Sequence, residues 1–209
     1  MARRSYLGSS QLEVNPYIAL SDLMINMVMC FVFLSASMTV VGRLGSDDIK
    51  YKRQRRIISE QIQSNVPKGL APTWITWKND VAGVQRWVFP GKTLFEGNSS
   101  ALTAEGREVL LDFAKVLNDQ QDLWARVRIE GHSLPPLAGT NDDFTDSALR
   151  ATSVARVLTG QGRIKANYLV VSGKGGQDAL YPKSSSGAVD QRNKRVEIII
   201  EFGRQPASP

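Results

Sequence analysis

Residues 18–41 read IALSDLMINMVMCFVFLSASMTVV, 24 residues with one charged side chain, Asp22. At the helical rise of 1.5 Å per residue this stretch would be about 36 Å long. A bilayer's hydrocarbon core is about 30 Å thick, so the segment crosses it with some tilt. It is too long for a signal-peptide core, and no small-residue cleavage site follows cleanly. It reads as a retained anchor. Working outward gives a polar tail over 1–17, a transmembrane helix over 18–42, a charged linker over 43–72, a folded domain over 73–204 and a tail over 205–209.

The charge is unevenly placed. The chain carries a formal net +6. Residues 1–68 hold nine Lys/Arg against five Asp/Glu, and the remainder holds 17 against 15. The basic balance therefore belongs to the membrane-flanking part, and it argues little for nucleic acid. Cys30 is the only cysteine, so no disulfide framework exists within the chain. After residue 72 enough chain remains for one globular domain with a real core.

The linker is rich in cations: Lys50, Lys52, Arg53, Arg55 and Arg56. Its apolar residues Ile49, Ile57, Ile58 and Ile62 are sparse. A short helix continues from the membrane and ends at Pro67, Gly69 and Pro72. Trp74–Trp77 and Trp87–Phe89 read as strands. Thr103 opens a helix whose apolar positions Val109, Leu110, Phe113, Ala114 and Leu117 recur at helical spacing. Arg126–Glu130 alternates as a strand. Thr145–Leu158 is a second helix, and Tyr168–Ser172 and Arg195–Phe202 are strands. The fold class is α+β, a mixed sheet with helices on one face.

Asp22 shares a helix face with Asn26, one turn later. An apolar setting disfavours the charged carboxylate, and such a group can load and release a proton. The competing reading puts Asp22 at headgroup level, because Leu23–Val41 is long enough to cross alone. From position only, the two readings are evenly matched.

The remaining motifs have modest chemistry. His132 is the only histidine and has no cysteine partner, which excludes a typical zinc site. A triad of His132, Ser133 and Asp142 or Asp143 is the sharp reading, and a structural histidine after a strand outweighs it. No catalytic residue is assigned and the chain is expected not to be an enzyme. Gly173-Lys174-Gly175-Gly176 lacks P-loop spacing and reads as a turn. Arg192, Lys194 and Arg195 form a basic cluster suited to an anion, or equally to a solvated edge.

Leu94-Phe95-Glu96-Gly97-Asn98-Ser99, Leu102-Thr103, Gly106, Ile129-Glu130-Gly131-His132, Ser147, Arg150-Ala151, Gly173 and Arg192–Ile198 occur in an order that resembles the OmpA-like peptidoglycan-binding domain. The likeness spans about residues 87–202. An OmpA-like domain behind one acid-bearing membrane helix resembles the MotB class of stator subunits. Ser21-Asp22-Leu23-Met24 and the short connector look closer to the ZorB family of Zorya anti-phage systems. The resemblance implies a proton-driven motor subunit with Asp22 as its ion carrier. Two such chains would sit within a ring of five polytopic MotA- or ZorA-like subunits, with peptidoglycan as the outer partner and no cofactor. It also implies a bacterial inner-membrane protein with a cytoplasmic N-terminus and a periplasmic domain. The alternatives are a flagellar-type stator subunit and a passive wall anchor.

Two departures stand out. The family's Gly-His-Thr-Asp reads Gly131-His132-Ser133-Leu134 here, so the acid that binds the stem diaminopimelate is missing. Arg150, Ser147, Asp143 and Asp146 are the expected wall-binding residues, with Asp142, Asp143 or Asp146 in place of the lost acid. The positive-inside count also opposes the family's topology. Arg3 and Arg4 precede the helix, whereas Arg43, Lys50, Lys52, Arg53, Arg55 and Arg56 follow it. The family's ligand lies outside the membrane, so the periplasmic placement is the expectation.

Overall fold

A computed structural model describes residues 16–77, 80, 81, 83–134, 143–181 and 191–203. The expectations for the polar tail before residue 16, for the last residues and for Asp142 lie outside that set. The chain divides into two units, Met1–Ser46 and Asp47–Pro209. A single helix, α1 (Pro16–Asn65), begins in the first and ends in the second.

In the first unit, Tyr17–Gly42 is a helix long and apolar enough to cross a membrane. Its large apolar side chains from Tyr17 to Val41 are all exposed, leaving an apolar surface that only lipid or another apolar surface can cover. Two of the span's hydroxyls bond back to the helix backbone. Ser21 Oγ donates to the Tyr17 carbonyl at 2.8 Å and Thr39 Oγ1 to the Ser35 carbonyl at 2.9 Å. Asp22 lies inside these bounds, on the exposed surface of the helix.

In the second unit the core forms between a sheet and the helices on one of its faces. The strands are β1 (Thr73–Ile75), β2 (Val84–Pro90), β3 (Trp124–His132), β4 (Leu169–Gly173) and β5 (Arg195–Phe202). Their order is β1-β2-β5-β3-β4. β3 and β4 run parallel, and the other neighbours are antiparallel. Parallel neighbours need a crossover, supplied here by α4 (Asp143–Gly160). A one-turn helix α2 (Gly91–Leu94) and α3 (Ala104–Asp119) lie between β2 and β3. Thr103 caps α3 by accepting the Gly106 amide at 2.9 Å, satisfying one of the helix's orphan donors.

Alternation along the strands sends Trp87, Phe89, Val127, Ile129, Val196, Ile198 and Ile200 into the core. They meet Leu110, Phe113 and Leu117 of α3 and Ala151, Val154 and Leu158 of α4. Phe113 packs edge-on against Trp87 and Phe89. The opposite strand face carries Arg86, Arg128, Glu130, His132, Arg195 and Glu197.

The charged linker over 43–72 requires correction. Ile58, Ile62 and Val66 are 0%, 0% and 3% exposed and belong to the same core. They recur every four residues, so one stripe of an otherwise polar helix faces the sheet. Tyr51 stacks on Phe202, and Gln85 donates to the Arg55 carbonyl. The packed unit therefore begins well before residue 73. From residue 73 onward the strand expected over Trp74–Trp77 is displaced to Thr73–Ile75, which leaves Thr76 and Trp77 outside it, and that expected over Tyr168–Ser172 runs Leu169–Gly173; the other expected strands and helices are present, several of them longer by one to three residues at an end.

Candidate functional site

Arg150 stands at the centre of the candidate site. Helix α4 carries it, and α4 is drawn tight to the sheet edge by two glycines. A Cβ on Gly131 would lie 1.9 Å from the Ser147 carbonyl oxygen, and one on Gly173 would lie 2.6 Å from that of Phe144. Only glycine at both strand ends permits this approach. Arg150 is 5% exposed. Its Nη2 donates to the Asn98 carbonyl at 2.7 Å and its Nε reaches the Ser99 carbonyl at 3.4 Å. Nη1 has no hydrogen-bond partner among the described residues. Its guanidinium lies 5.9 Å from the Phe95 ring centre.

A cavity of about 110 Å³ opens at this guanidinium, lined among others by Phe95, Asn98, Gln191 and Lys194. Lys194 Nζ donates to Asn98 Oδ1 at 2.7 Å. Burial lowers the pKa of Lys194, and the neighbouring Arg150 charge lowers it further, while Asp146 opposes both. Burial likewise lowers that of Arg150, again against Asp146. Two partly desolvated cations side by side, the Arg150 charge disfavouring that of Lys194, make a setting suited to a carboxylate.

The four expected wall-binding residues separate into two pairs. Arg150 and Asp146 belong to the cavity's electrostatic surroundings. Ser147 and Asp143 hold the loop after β4. Ser147 Oγ donates to the Phe144 carbonyl and accepts the Gly175 amide at 3.0 Å. Asp143 Oδ2 accepts the Gly176 amide at 2.8 Å. Gly175 has φ +60°, so this turn needs the left-handed region. Asn98, Phe95 and Gln191 were not read as site residues from sequence. Asn98 stood in the Leu94–Ser99 motif, the one signal that marked it. Lys194 stands in the basic cluster and in the Arg192–Ile198 segment of the resemblance, neither of which marks it as a ligand contact.

A second polar cluster occupies the sheet face away from the helices. Glu130 and Glu197 are paired directly across β3 and β5, an unfavourable juxtaposition of like charges. Arg86 resolves it, reaching Glu197 Oε2 at 2.5 Å and Glu130 Oε2 at 3.3 Å from Nη1, while Nη2 meets Asp80 at 2.8 Å. Arg195 Nε donates to Glu197 Oε1 at 2.6 Å, and Arg128 Nε lies 3.1 Å from Glu130 Oε1 as an ion pair without hydrogen-bond alignment. Glu130, His132 and Glu197 present ligand atoms within 4.8 Å of one another. Both carboxylates are already neutralised by arginines, so the group reads as an ion-pair network rather than a metal centre.

His132 is 2% exposed within that network. Its Nε2 lies 3.5 Å from Glu197, and neither ring nitrogen has a hydrogen-bond partner among the described residues. The expected triad does not assemble: Ser133 Oγ bonds the carbonyls of Leu134 and Asp143 instead. Burial, and then the Arg195 charge, push the His132 pKa down to about 3. An unfolded histidine titrates near 6.5. Between those values the unfolded chain binds a proton that the folded one refuses. Stability is complete above about pH 6.5 and drains as pH falls toward 3, by about 1.4 kcal/mol per pH unit. Between pH 6 and 4.5 the wild type should lose about 2 kcal/mol from this group. His132→Gln should flatten that slope in urea titrations; an unchanged slope would assign it elsewhere.

Residues 94–195 match the model of the OmpA family. The domain is OmpA-like. Its fold is shared with a MotB-like protein of Desulfovibrio vulgaris, at 22% identity and TM-score 0.56, over 77% of this chain and 96% of that one. The cell wall anchor of the type VI secretion system of Pseudomonas aeruginosa is also 22% identical, TM-score 0.53, over 71% and 96%. The periplasmic domain of Helicobacter pylori MotB is 22% identical, TM-score 0.51, over 63% and 82%. These likenesses establish a common fold for the OmpA-like domain. No curated protein matches the sequence.

Proposed function

We propose that this chain is the wall-gripping, ion-carrying subunit of a membrane motor. Asp22 takes up and releases the ion, a proton, within a polytopic MotA- or ZorA-like ring of five subunits around two copies of this chain. The OmpA-like domain holds peptidoglycan on the periplasmic side of the bacterial inner membrane. The likeness of Ser21–Met24 and the short connector to the ZorB family supports a place in anti-phage defence of the Zorya type.

The observation that carries the wall-binding half is Arg150, which lines a cavity with Lys194 and whose buried Nη1 has no partner among the described residues. A stem-peptide carboxylate supplies the partner these cations lack. Leu134 stands where the family has its acid, so recognition rests on cations here, with Asp146 as the nearby acid for a ligand ammonium. A charge-assisted hydrogen bond contributes about 1.5–3 kcal/mol. Arg150→Ala should therefore reduce co-sedimentation with isolated sacculi by about tenfold or more. Lys194→Ala, less buried, serves where Arg150→Ala fails to fold. Retention unchanged in both variants would end the reading.

The second reading is a passive wall anchor, favoured by the shared fold with the Pseudomonas aeruginosa cell wall anchor. It has no use for a titratable group at Asp22, which separates the two.

A further inference from the structure

Within the second unit, the exposed side of α1 and the edge strand β1 enclose a cavity of about 680 Å³. Lys52, Arg53, Arg55 and Arg56 line it, with Trp74 from β1 and a single acid, Glu60. Lys52, Arg53 and Arg56 are exposed. Arg56 and Glu60 form a solvent-facing pair at 3.7 Å, both more than two-thirds exposed, which offsets little of the local charge. Trp74 is 46% exposed on a three-residue edge strand. Lys52, Arg53 and Arg56 lie on the exposed side of the helix, whereas Ile58 and Ile62 are buried in the core.

We propose that this face docks on the anionic headgroup surface of the bilayer that holds the chain's own apolar span. Charge decides the occupant. Residues 50–56 read KYKRQRR, five cations and no acid. A cluster of that density beside a membrane anchor attracts anionic lipid, each cation near the surface adding to the attraction. The half-exposed Trp74 adds an aromatic of the kind enriched at membrane–water interfaces. The covalent tether then makes the encounter intramolecular. Nine residues separate Gly42 from Lys52, ten Cα steps whose reach cannot exceed about 36 Å even if fully extended. The local lipid concentration seen by the patch is therefore high throughout.

This surface is distinct from the Arg150 cavity and the inference does not rest on wall binding. It assigns a role to the cations that oppose the periplasmic placement in the positive-inside count. Anionic headgroups attract the patch from either side of the membrane, so docking follows on whichever side the domain lies.

The test uses the full chain reconstituted in nanodiscs of phosphatidylcholine, with or without one-third phosphatidylglycerol. Each disc carries a headgroup spin label, and Trp74 quenching is taken as the difference from a Trp74→Phe variant. Quenching should rise several-fold with phosphatidylglycerol. It should fall back when salt is raised enough to shorten the screening length to about 3 Å, near 1 M. The triple variant Lys52→Gln, Arg53→Gln, Arg56→Gln should lose the rise while keeping wild-type near-ultraviolet dichroism, since all three side chains are exposed. Equal quenching in the two lipids overturns the proposal. So does a lipid-dependent rise that survives the triple variant, or quenching of the wild type that ignores salt; an acidic protein partner would then be the better occupant.

Discussion

Glu197→Ala is expected to remove about 3–5 kcal/mol of unfolding free energy, the usual cost of breaking a buried ion pair from one side. Glu197 is 0% exposed and receives Arg86 on one oxygen and Arg195 on the other. Without it, Arg195 keeps only the Asn193 and Asp178 carbonyls, and Arg86 must share Asp80 and Glu130. A guanidinium excluded from water and short of its counter-charge accounts for most of the cost. Removing both charges together should cost less than the sum. A Glu197→Gln, Arg195→Met pair should recover part of the loss, because the penalty lies in the orphaned cation. Urea unfolding of the full chain in detergent reads this directly, since Trp74, Trp77, Trp87 and Trp124 all lie outside the membrane span. A loss below about 1 kcal/mol for Glu197→Ala would mean that water reaches the network and screens it.

Much of the molecule was legible because its cause is local. The alternation of Val127 and Ile129, and of Val196, Ile198 and Ile200, announces strands with one buried face. The spacing of Val109, Leu110, Phe113 and Leu117 announces α3. What failed to show is tertiary. Ile58, Ile62 and Val66 are three apolar residues among many charges, and their four-residue spacing gains meaning only when a sheet is there to meet it. Arg86 has no motif around it in the sequence, yet it joins Asp80, Glu130 and Glu197, residues from three other parts of the chain. The Arg150 cavity was half legible. Arg150 was marked by its place after Ser147, whereas Lys194 and Asn98 come from segments roughly fifty residues away on either side. Ser147 and Asp143 carried the same motif signal, but their hydrogen bonds go to the Gly175–Gly176 turn. A motif marks conserved geometry and ligand contact alike, and only the partner atoms tell them apart.

On the motor reading proposed above, Asp22→Asn is expected to abolish function while leaving the protein level, membrane insertion and retention on sacculi as in the wild type. Asparagine keeps the shape and one carbonyl acceptor, but it cannot exchange a proton. The substitution also removes a charge from the apolar span, and an acid there opposes insertion by about 2.5–3.5 kcal/mol at the helix centre, less near its ends. The variant should therefore insert at least as well as the wild type, so a failure cannot be laid to poor assembly. Among the described residues no hydrogen bond or ion pair reaches Asp22, and its neighbours Leu23, Met24 and Ile25 are exposed apolar side chains. An acid placed there without an internal partner has its use in what the helix meets. Two readouts follow. Co-reconstituted with its polytopic partner in vesicles, the wild type should pass protons down an imposed gradient, and Asp22→Asn should reduce that flux to the level of empty vesicles. In cells, phage plating on the variant should match plating on cells lacking the gene. Asp22→Glu, which restores a titratable group one methylene further out, should regain part of both. Full protection by Asp22→Asn would favour the passive-anchor reading over the motor.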